Sequence, residues 1–311
     1  MSSQAKPKPQ PVTRLKVPTD AYKSPSGIAQ FMGALRRSPV GLIGVIIIAL
    51  VLFLAIFGAV VVPFAPDDNN LRARFMPPGF INADGETHLL GTDQLGRDIY
   101  SRMIVGSSVS VLIGVVSVLI AGTLGVVIGL VAGFFGGWID DLLMRIADGL
   151  LSIPFIILVV AISGILSPGL ATLMFILGLT GWVTYARVIR GEVLKARELE
   201  YVLAAYAIGQ SRFKVIFLHI LPNVISSAVI LAASQVGVTI LAESSLSFLG
   251  LGVRSPTVTW GLMLADGRQY INSAWWMTTY PGLAITVTVL GVVFLGDWLR
   301  DVLDPKVRGR N

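Results

Sequence analysis

Cysteine is absent from this chain of 311 residues, and charged residues are scarce. The absence of cysteine excludes disulfide bonds and thiolate chemistry. Charged residues make up only 14% of the chain and hydrophobic residues 54%, whereas a soluble globular protein ordinarily carries about 25% charged residues. Too few charges remain to cover a soluble protein of this size, so the composition predicts a polytopic membrane protein.

Histidine is nearly as scarce, because only His88 and His219 are present. The topology predicted below places them on opposite sides of the membrane, which argues against a histidine-cluster metal site or a Ser-His-Asp triad. Asp84 and Glu86 lie close to His88 in the sequence, but polar loop residues of this kind are ordinarily solvated. We therefore predict no metal site, no catalytic residue and no enzymatic activity.

A nucleotide-binding motif is also missing, because the chain contains no G-x-x-x-x-G-K-[ST] phosphate loop. No ionisable residue lies near the middle of any predicted span, whereas proton- or ion-coupled carriers usually have one there. If transport is active, we expect the ATPase to be another subunit.

Long apolar segments account for most of the remaining sequence. A membrane-spanning helix needs about 20 apolar residues, and six segments qualify, which predicts an all-α protein with six transmembrane helices. These segments are residues 40–62, 107–133, 149–166, 170–190, 222–243 and 281–299.

Lysine and arginine are distributed unevenly between the loops. The N-terminal tail, the 134–148 loop, the 187–221 loop and the C-terminus carry 18 of the 24 basic residues, and the two other loops carry six. By the positive-inside rule, both termini and the 187–221 loop are cytoplasmic. The net charge of +6 is thereby explained without nucleic acid.

This topology divides the chain into five parts. Residues 1–38 are predicted to be a cytoplasmic tail with a short amphipathic helix on the lipid surface, and residues 39–62 the first transmembrane helix. An extracytoplasmic loop follows at 63–106. Residues 107–305 are predicted to form a five-helix transmembrane core with a cytoplasmic loop at 191–221 and an extracytoplasmic loop at 244–280, and residues 306–311 a second cytoplasmic tail.

Small residues recur every four positions in the second span, which places them in one stripe of a helix. Such a stripe allows two helix backbones to approach closely. The partner is either another helix of the same chain or a second subunit, and the sequence leaves both open. We call these residues the glycine stripe: Ala121, Gly125, Gly129 and Gly133.

The segment 198–221 is more polar and sharply periodic. Tyr201, Ala204, Ala205 and Ile208 fall at i, i+3, i+4 and i+7, which predicts a short helix with a small-residue face. Gly209 is suited to end that helix.

A second short helix is predicted after Gly209. Ser211 is suited to cap it, and its apolar positions, with Phe213 and Phe217 among them, are expected to anchor on the spans. Pro222 then opens the fifth span. The small face of the first helix indicates either docking of a partner or packing within the chain.

This pattern resembles the "EAA" loop of ABC-importer permeases, which docks the ATPase subunit. The matching residues are Ala204 and Ala205, then Gly209 after three intervening residues, and finally Leu221 and Pro222. The runs "HLLGTDQLGRDIYSRMIVGSSVS", "GGWIDDLLMRIADGLLSIP" and "ESSLSFLGLGV" resemble the C-type permease subunit of dipeptide, oligopeptide and nickel transporters. The resemblance implies a type I ABC-importer fold over residues 30–305.

Several partners are implied by the same resemblance. They are a paralogous B-type permease, two ATPase subunits that hold ATP and Mg, and an extracytoplasmic solute-binding protein, while this chain itself holds no cofactor. Leu203 stands where the motif has its glutamate, and Glu200, three residues earlier, is the candidate substitute.

The resemblance implies import of short peptides through a half-pore coupled to the ATPases by the 198–221 loop. The alternatives are import of nickel or another small solute by the same machinery, or a stand-alone secondary transporter.

Overall fold

The computed structural model describes residues 27–82, 85–166 and 169–303. Residues 1–26 of the predicted N-terminal tail and the whole predicted tail at 306–311 lie outside these residues. The helices are α1 (Gly27–Arg37), α2 (Pro39–Val61), α3 (Ile99–Phe135), α4 (Gly137–Ser152), α5 (Phe155–Ile165), α6 (Leu170–Ala196), α7 (Glu200–Ala207), α8 (Arg212–Lys214), α9 (Leu221–Phe248), α10 (Trp260–Gly267) and α11 (Trp276–Leu303).

Five helical stretches are long and apolar enough to cross a membrane, and a sixth is present if the bent pair α4–α5 counts as one span. The predicted fold class is thereby confirmed. The second span is longer than predicted, because α3 begins eight residues earlier, at Ile99. The Asp98 carboxylate starts this helix by accepting a hydrogen bond from the Ser101 backbone N–H at 2.8 Å.

The third span differs most from its prediction as one helix over 149–166. The structure divides it between α4 and α5, whose axes bend by 94°. Pro154 causes the break, because a proline has no N–H to donate and disfavours helical backbone at the preceding residue. Ile153 accordingly has φ −93° and ψ 125°, in the extended region. The 134–148 segment, predicted as a loop, is mostly the helix α4.

The tightest helix pair in the molecule is α3 against α6, and the glycine stripe lies between them. A Cβ added at Gly125 would lie 2.5 Å from the Trp182 carbonyl oxygen, and one added at Gly129 would lie 2.7 Å from the Ala186 carbonyl oxygen. The two backbones therefore touch here. The structure places the stripe against a helix of the same chain.

Beyond one end of these helices, residues 63–82, 85–98 and 249–275 form a layer that we call the outer cap, after its predicted side. It contains α10 and a pair of short antiparallel strands, β1 (Phe80–Ile81) and β2 (Thr87–His88), with Phe80 opposite His88. The strands are a small addition to the predicted all-α architecture.

Candidate functional site

The segment 198–221, which we call the coupling segment, begins with α7. Glu200 is the first residue of this helix, where its negative charge interacts favourably with the helix dipole. The helix ends at Gly209, whose φ is +80°. The N–H of Gly209 donates to the Tyr206 carbonyl at 2.9 Å and that of Gln210 to the Ala205 carbonyl at 3.1 Å. These two bonds form a Schellman motif, which requires a left-handed residue at position 209.

The second half of the coupling segment differs from its prediction as a separate short helix. Ser211 does cap α8, since its Oγ accepts a hydrogen bond from the Lys214 N–H at 3.4 Å. The chain then continues through a π-helical stretch, Val215–Ile220, directly into α9. Pro222 therefore does not open a new helix. We attribute the π turn to this proline, whose ring and missing N–H disturb α-helical bonding one turn earlier.

The π turn also changes which side chains face the protein. Val215 and Ile220 are five residues apart, the π-helical spacing, and both are fully buried. Phe213 and Phe217 were predicted to anchor on the spans, but they are 73% and 53% exposed. They stack on each other, with ring centroids 5.5 Å apart. The α-helical period used for the prediction does not hold across this stretch.

The small-residue face of α7 is likewise divided. Ala205 is buried together with Val202, and both belong to one core cluster with Val193 of α6 and Val224 of α9. Ala204, by contrast, is exposed. The coupling segment is thus fixed to two long helices by its buried side, and of the two adjacent alanines only Ala204 leaves room for a neighbouring surface.

The opposite side of the coupling segment presents large apolar groups to the exterior. This exposed surface consists of Tyr201, Leu203, Ile208, Phe213, Phe217 and Leu218, each at least 40% exposed. Glu200 is exposed beside it, and Leu221 and Pro222 follow at the start of α9. We call the six apolar residues, together with Ala204, the apolar docking surface, after the role proposed for them below.

Two side-chain contacts hold the halves of the coupling segment together. His219 Nε2 lies 2.9 Å from Gln210 Oε1. Asn223 Nδ2 donates to the hydroxyl of Tyr201, so the start of α9 is joined to α7. The segment therefore has both a common core and direct polar links.

Ion pairs that could not be predicted from sequence spacing join α4 to α6. Arg190 donates to both oxygens of Asp140, at 2.5 and 2.6 Å. Arg187 forms a second pair with Asp148 at 2.5 Å. The partners are 50 and 39 residues apart, so only the fold brings them together.

The outer cap contains its own network of charges. His88 Nδ1 lies 2.9 Å from Asp98 Oδ1, and Arg97 donates to Asp93 at 2.6 Å. Burial raises the pKa of Asp266, although the nearby arginines oppose this effect. Among the described residues no group of three side chains is placed to hold a metal ion. Asp84 lies outside them.

Two protein-family models match the sequence. Residues 125–309 match the binding-protein-dependent transport system inner membrane component, and residues 28–78 match the N-terminal transmembrane domain of oligopeptide transport permease C.

Individual relatives match over nearly the whole chain. A probable D,D-dipeptide transport system permease of Escherichia coli K12 is 38% identical over 282 residues, 91% of this chain and 93% of that protein. A dipeptide transport system permease of Alkalihalophilus pseudofirmus is 36% identical and covers 98% of both chains. An oligopeptide transport system permease of Bacillus subtilis is 37% identical over 88% of both. Among solved structures, an inward-facing MetNI methionine ABC transporter matches with a TM-score of 0.48 and 20% identity, over 62% of this chain and 94% of that one.

Proposed function

Because the chain belongs to the inner-membrane permease family of binding-protein-dependent transport systems, the permease subunits of ABC importers, we propose that it forms half of a translocation pathway for short peptides. We further propose that ATPase subunits dock on the coupling segment. The relatives named above support peptides as the substrate, since their names specify dipeptides and oligopeptides.

One observation carries the docking proposal: the apolar docking surface lies on a segment predicted to face the cytoplasm. Ile208 is 75% exposed and Phe213 is 73% exposed. Lipid would not cover such groups in a cytoplasmic loop, and exposed apolar patches of this kind mark interaction sites. An ATPase subunit that buries these groups would remove them from water.

The position of Glu200 supports a polar contact at the same interface. The family motif has its acid where this chain has Leu203, and both residues are exposed on α7. They are three residues apart, so they are neighbours on the helix surface. Glu200 therefore substitutes for the missing acid, while Leu203 adds to the apolar contact.

The remaining parts of the assembly follow from the family. A paralogous B-type permease completes the pathway, and two ATPase subunits hold ATP and Mg. A solute-binding protein delivers peptide to the outer cap. The assembly resides in the inner membrane, and the distribution of basic residues supports a cytoplasmic position for both termini of this chain.

Co-purification of the tagged chain from its native membranes tests the docking proposal. Ile208→Asp places a charge on the apolar docking surface, and Ile81→Asp makes the same change at a position in the outer cap that is 59% exposed. Two P-loop ATPases and a second permease are expected with the unmodified chain and with the Ile81→Asp variant. Ile208→Asp should reduce recovery of the ATPases at least tenfold. Equal recovery with both variants would contradict docking at this surface.

A further inference from the structure

A cavity of about 260 Å³ lies beyond the coupling segment, at the other end of the molecule. Its walls come from the end of α5, the beginning of α6 and the loop that follows α9. The predicted topology places this cavity on the outer side, where a delivered substrate first meets the permease.

Arg254 is the one ionisable residue among those that line the cavity. The other polar side chains there are Ser163 and Thr172, and the apolar part of the wall includes Val160 and Leu173. The cavity therefore offers one exposed positive charge beside a largely apolar wall.

Arg254 has no acidic partner in the described part of the chain, since no carboxylate oxygen lies within 4 Å of its guanidinium. Arg97 and Arg102, which also belong to the predicted outer side, are each paired with aspartate. The guanidinium of Arg254 is consequently available to an external anion.

The backbone that carries Arg254 is held firmly. Gly250 ends α9 with φ +80°, and the N–H of Leu251 donates to the Leu246 carbonyl at 2.8 Å. Val253, next to Arg254, is buried in the core. A fixed backbone keeps the base of the Arg254 side chain at the cavity wall, so that only the side chain itself loses freedom when a ligand binds.

Glycines leave much of the cavity wall without side chains. A Cβ added at Gly164, Gly169 or Gly250 would meet no atom within 4 Å. The space before these glycines is therefore open to a ligand. The volume of about 260 Å³ lies just below the range of about 300–1,000 Å³ usual for small-molecule pockets, which suits one end of a peptide.

We propose that this cavity binds the terminal carboxylate of the transported peptide through Arg254. A guanidinium donates two parallel hydrogen bonds to a carboxylate, and this geometry favours the carboxylate over neutral groups. The inference rests on the proposed function, because a free carboxylate is the anionic group common to unmodified peptides. Arg254 would orient each peptide as it enters the pathway.

Peptide uptake by the complete transporter in proteoliposomes, with ATP and the solute-binding protein, tests this assignment. Arg254→Gln is expected to lower dipeptide uptake about tenfold or more, the effect of losing one charge-assisted interaction. Arg254→Lys, which keeps the charge but not the planar fork, should give an intermediate rate, and Arg254→Glu the lowest.

Arg268→Gln is the matched control. Arg268 belongs to the same predicted outer loop, but its guanidinium lies over the Phe248 ring at 5.0 Å, and it does not line the cavity. Its uptake rate should stay within about twofold of the unmodified transporter, since a surface arginine of this kind contributes little.

A cavity-filling variant tests the same site without changing charge. Gly164→Leu should lower uptake because the leucine side chain would occupy the open space of the cavity. Gly149→Leu should not lower uptake. Gly149 is a helical glycine of α4, and a Cβ added there also has no atom within 4 Å. These two variants separate occupation of the cavity from a general effect of adding bulk to a helix.

Three results would overturn the inference. The first is uptake by Arg254→Gln within twofold of the unmodified transporter, and the second is an equal loss in all Arg254 variants regardless of charge. The third is a loss that disappears when the binding protein is raised tenfold, which would place Arg254 at the docking surface of that protein. If the unmodified transporter imports no peptide with ATP, the proposed function fails instead.

Discussion

Replacing Gly125 with alanine is expected to separate α3 from α6, because the added methyl has no space. It would lie 2.4 Å from the Tyr185 Cβ and 2.5 Å from the Trp182 carbonyl oxygen, whereas carbon atoms in contact prefer about 3.5–4.0 Å. One of these atoms belongs to the backbone, so a change of rotamer cannot relieve the clash. Overpacking of this kind costs about 1–3 kcal/mol, and we expect the upper part of that range.

Gly122→Ala provides the matched control on the same helix. Its added Cβ would lie 3.4 Å from Tyr185 Cε1, an ordinary contact, so this variant should be neutral or slightly stabilising. Thermal unfolding of the detergent-solubilised protein, followed by tryptophan fluorescence, compares the two. We expect the Gly125→Ala midpoint to fall by roughly 4–12 °C, from about 2–3 kcal/mol at about 2–4 °C per kcal/mol. Equal midpoints for both variants would refute direct backbone contact at the glycine stripe.

Three further predictions concern the coupling segment and the outer cap. Gly209→Val should uncouple ATP hydrolysis from uptake, because a left-handed conformation costs a β-branched residue more than about 1–2 kcal/mol. Gly191→Val, near the C-terminal end of α6, should leave the ratio of hydrolysis to uptake unchanged. Normal coupling in Gly209→Val would contradict a role for the left-handed end of α7. Glu200→Lys should reduce co-purification of the ATPases, whereas Glu198→Lys, which precedes α7, should not; equal losses would exclude a specific role for Glu200. Because burial raises the pKa of Asp266, the folded protein binds that proton more tightly than the unfolded chain, and stability should fall as pH rises from 3.8 through the raised pKa. Asp266→Asn should flatten that part of the curve of unfolding midpoint against pH, and an unchanged slope would contradict this assignment.

Local features of the fold could be predicted from neighbouring residues in the sequence. Gly209 and Ser211 each act within a few positions of themselves, so the end of α7 and the start of α8 follow from residue type. The prediction of the six apolar segments needed only their length and composition. The break at Pro154 also had a local signal, but the apolar composition on both sides of the proline favoured a continuous span.

Features that depend on distant residues could not be predicted in this way. The pair of Arg190 with Asp140 spans 50 positions, and nothing in either local sequence specifies the other. The exposure of Phe213 and Phe217 follows from the π turn, which shifts the buried face to Val215 and Ile220. A single proline has many structural outcomes, and here the packing of the segment on α6 and α9 determines which one occurs.

The continuity of the coupling segment with α9 has a mechanical consequence for the proposed function. Residues Arg212–Phe248 form one helical stretch of 37 residues, which is about 55 Å long at 1.5 Å per residue. Its first turns carry part of the apolar docking surface, and its last turn leads directly into the loop of Arg254. If two separate helices were joined by a flexible link at Pro222, part of a displacement of the first helix would not reach the second. In the proposed function, a continuous helix would transmit a displacement of the docked ATPases along its length, and the apolar docking surface and the loop of Arg254 would move as parts of one element.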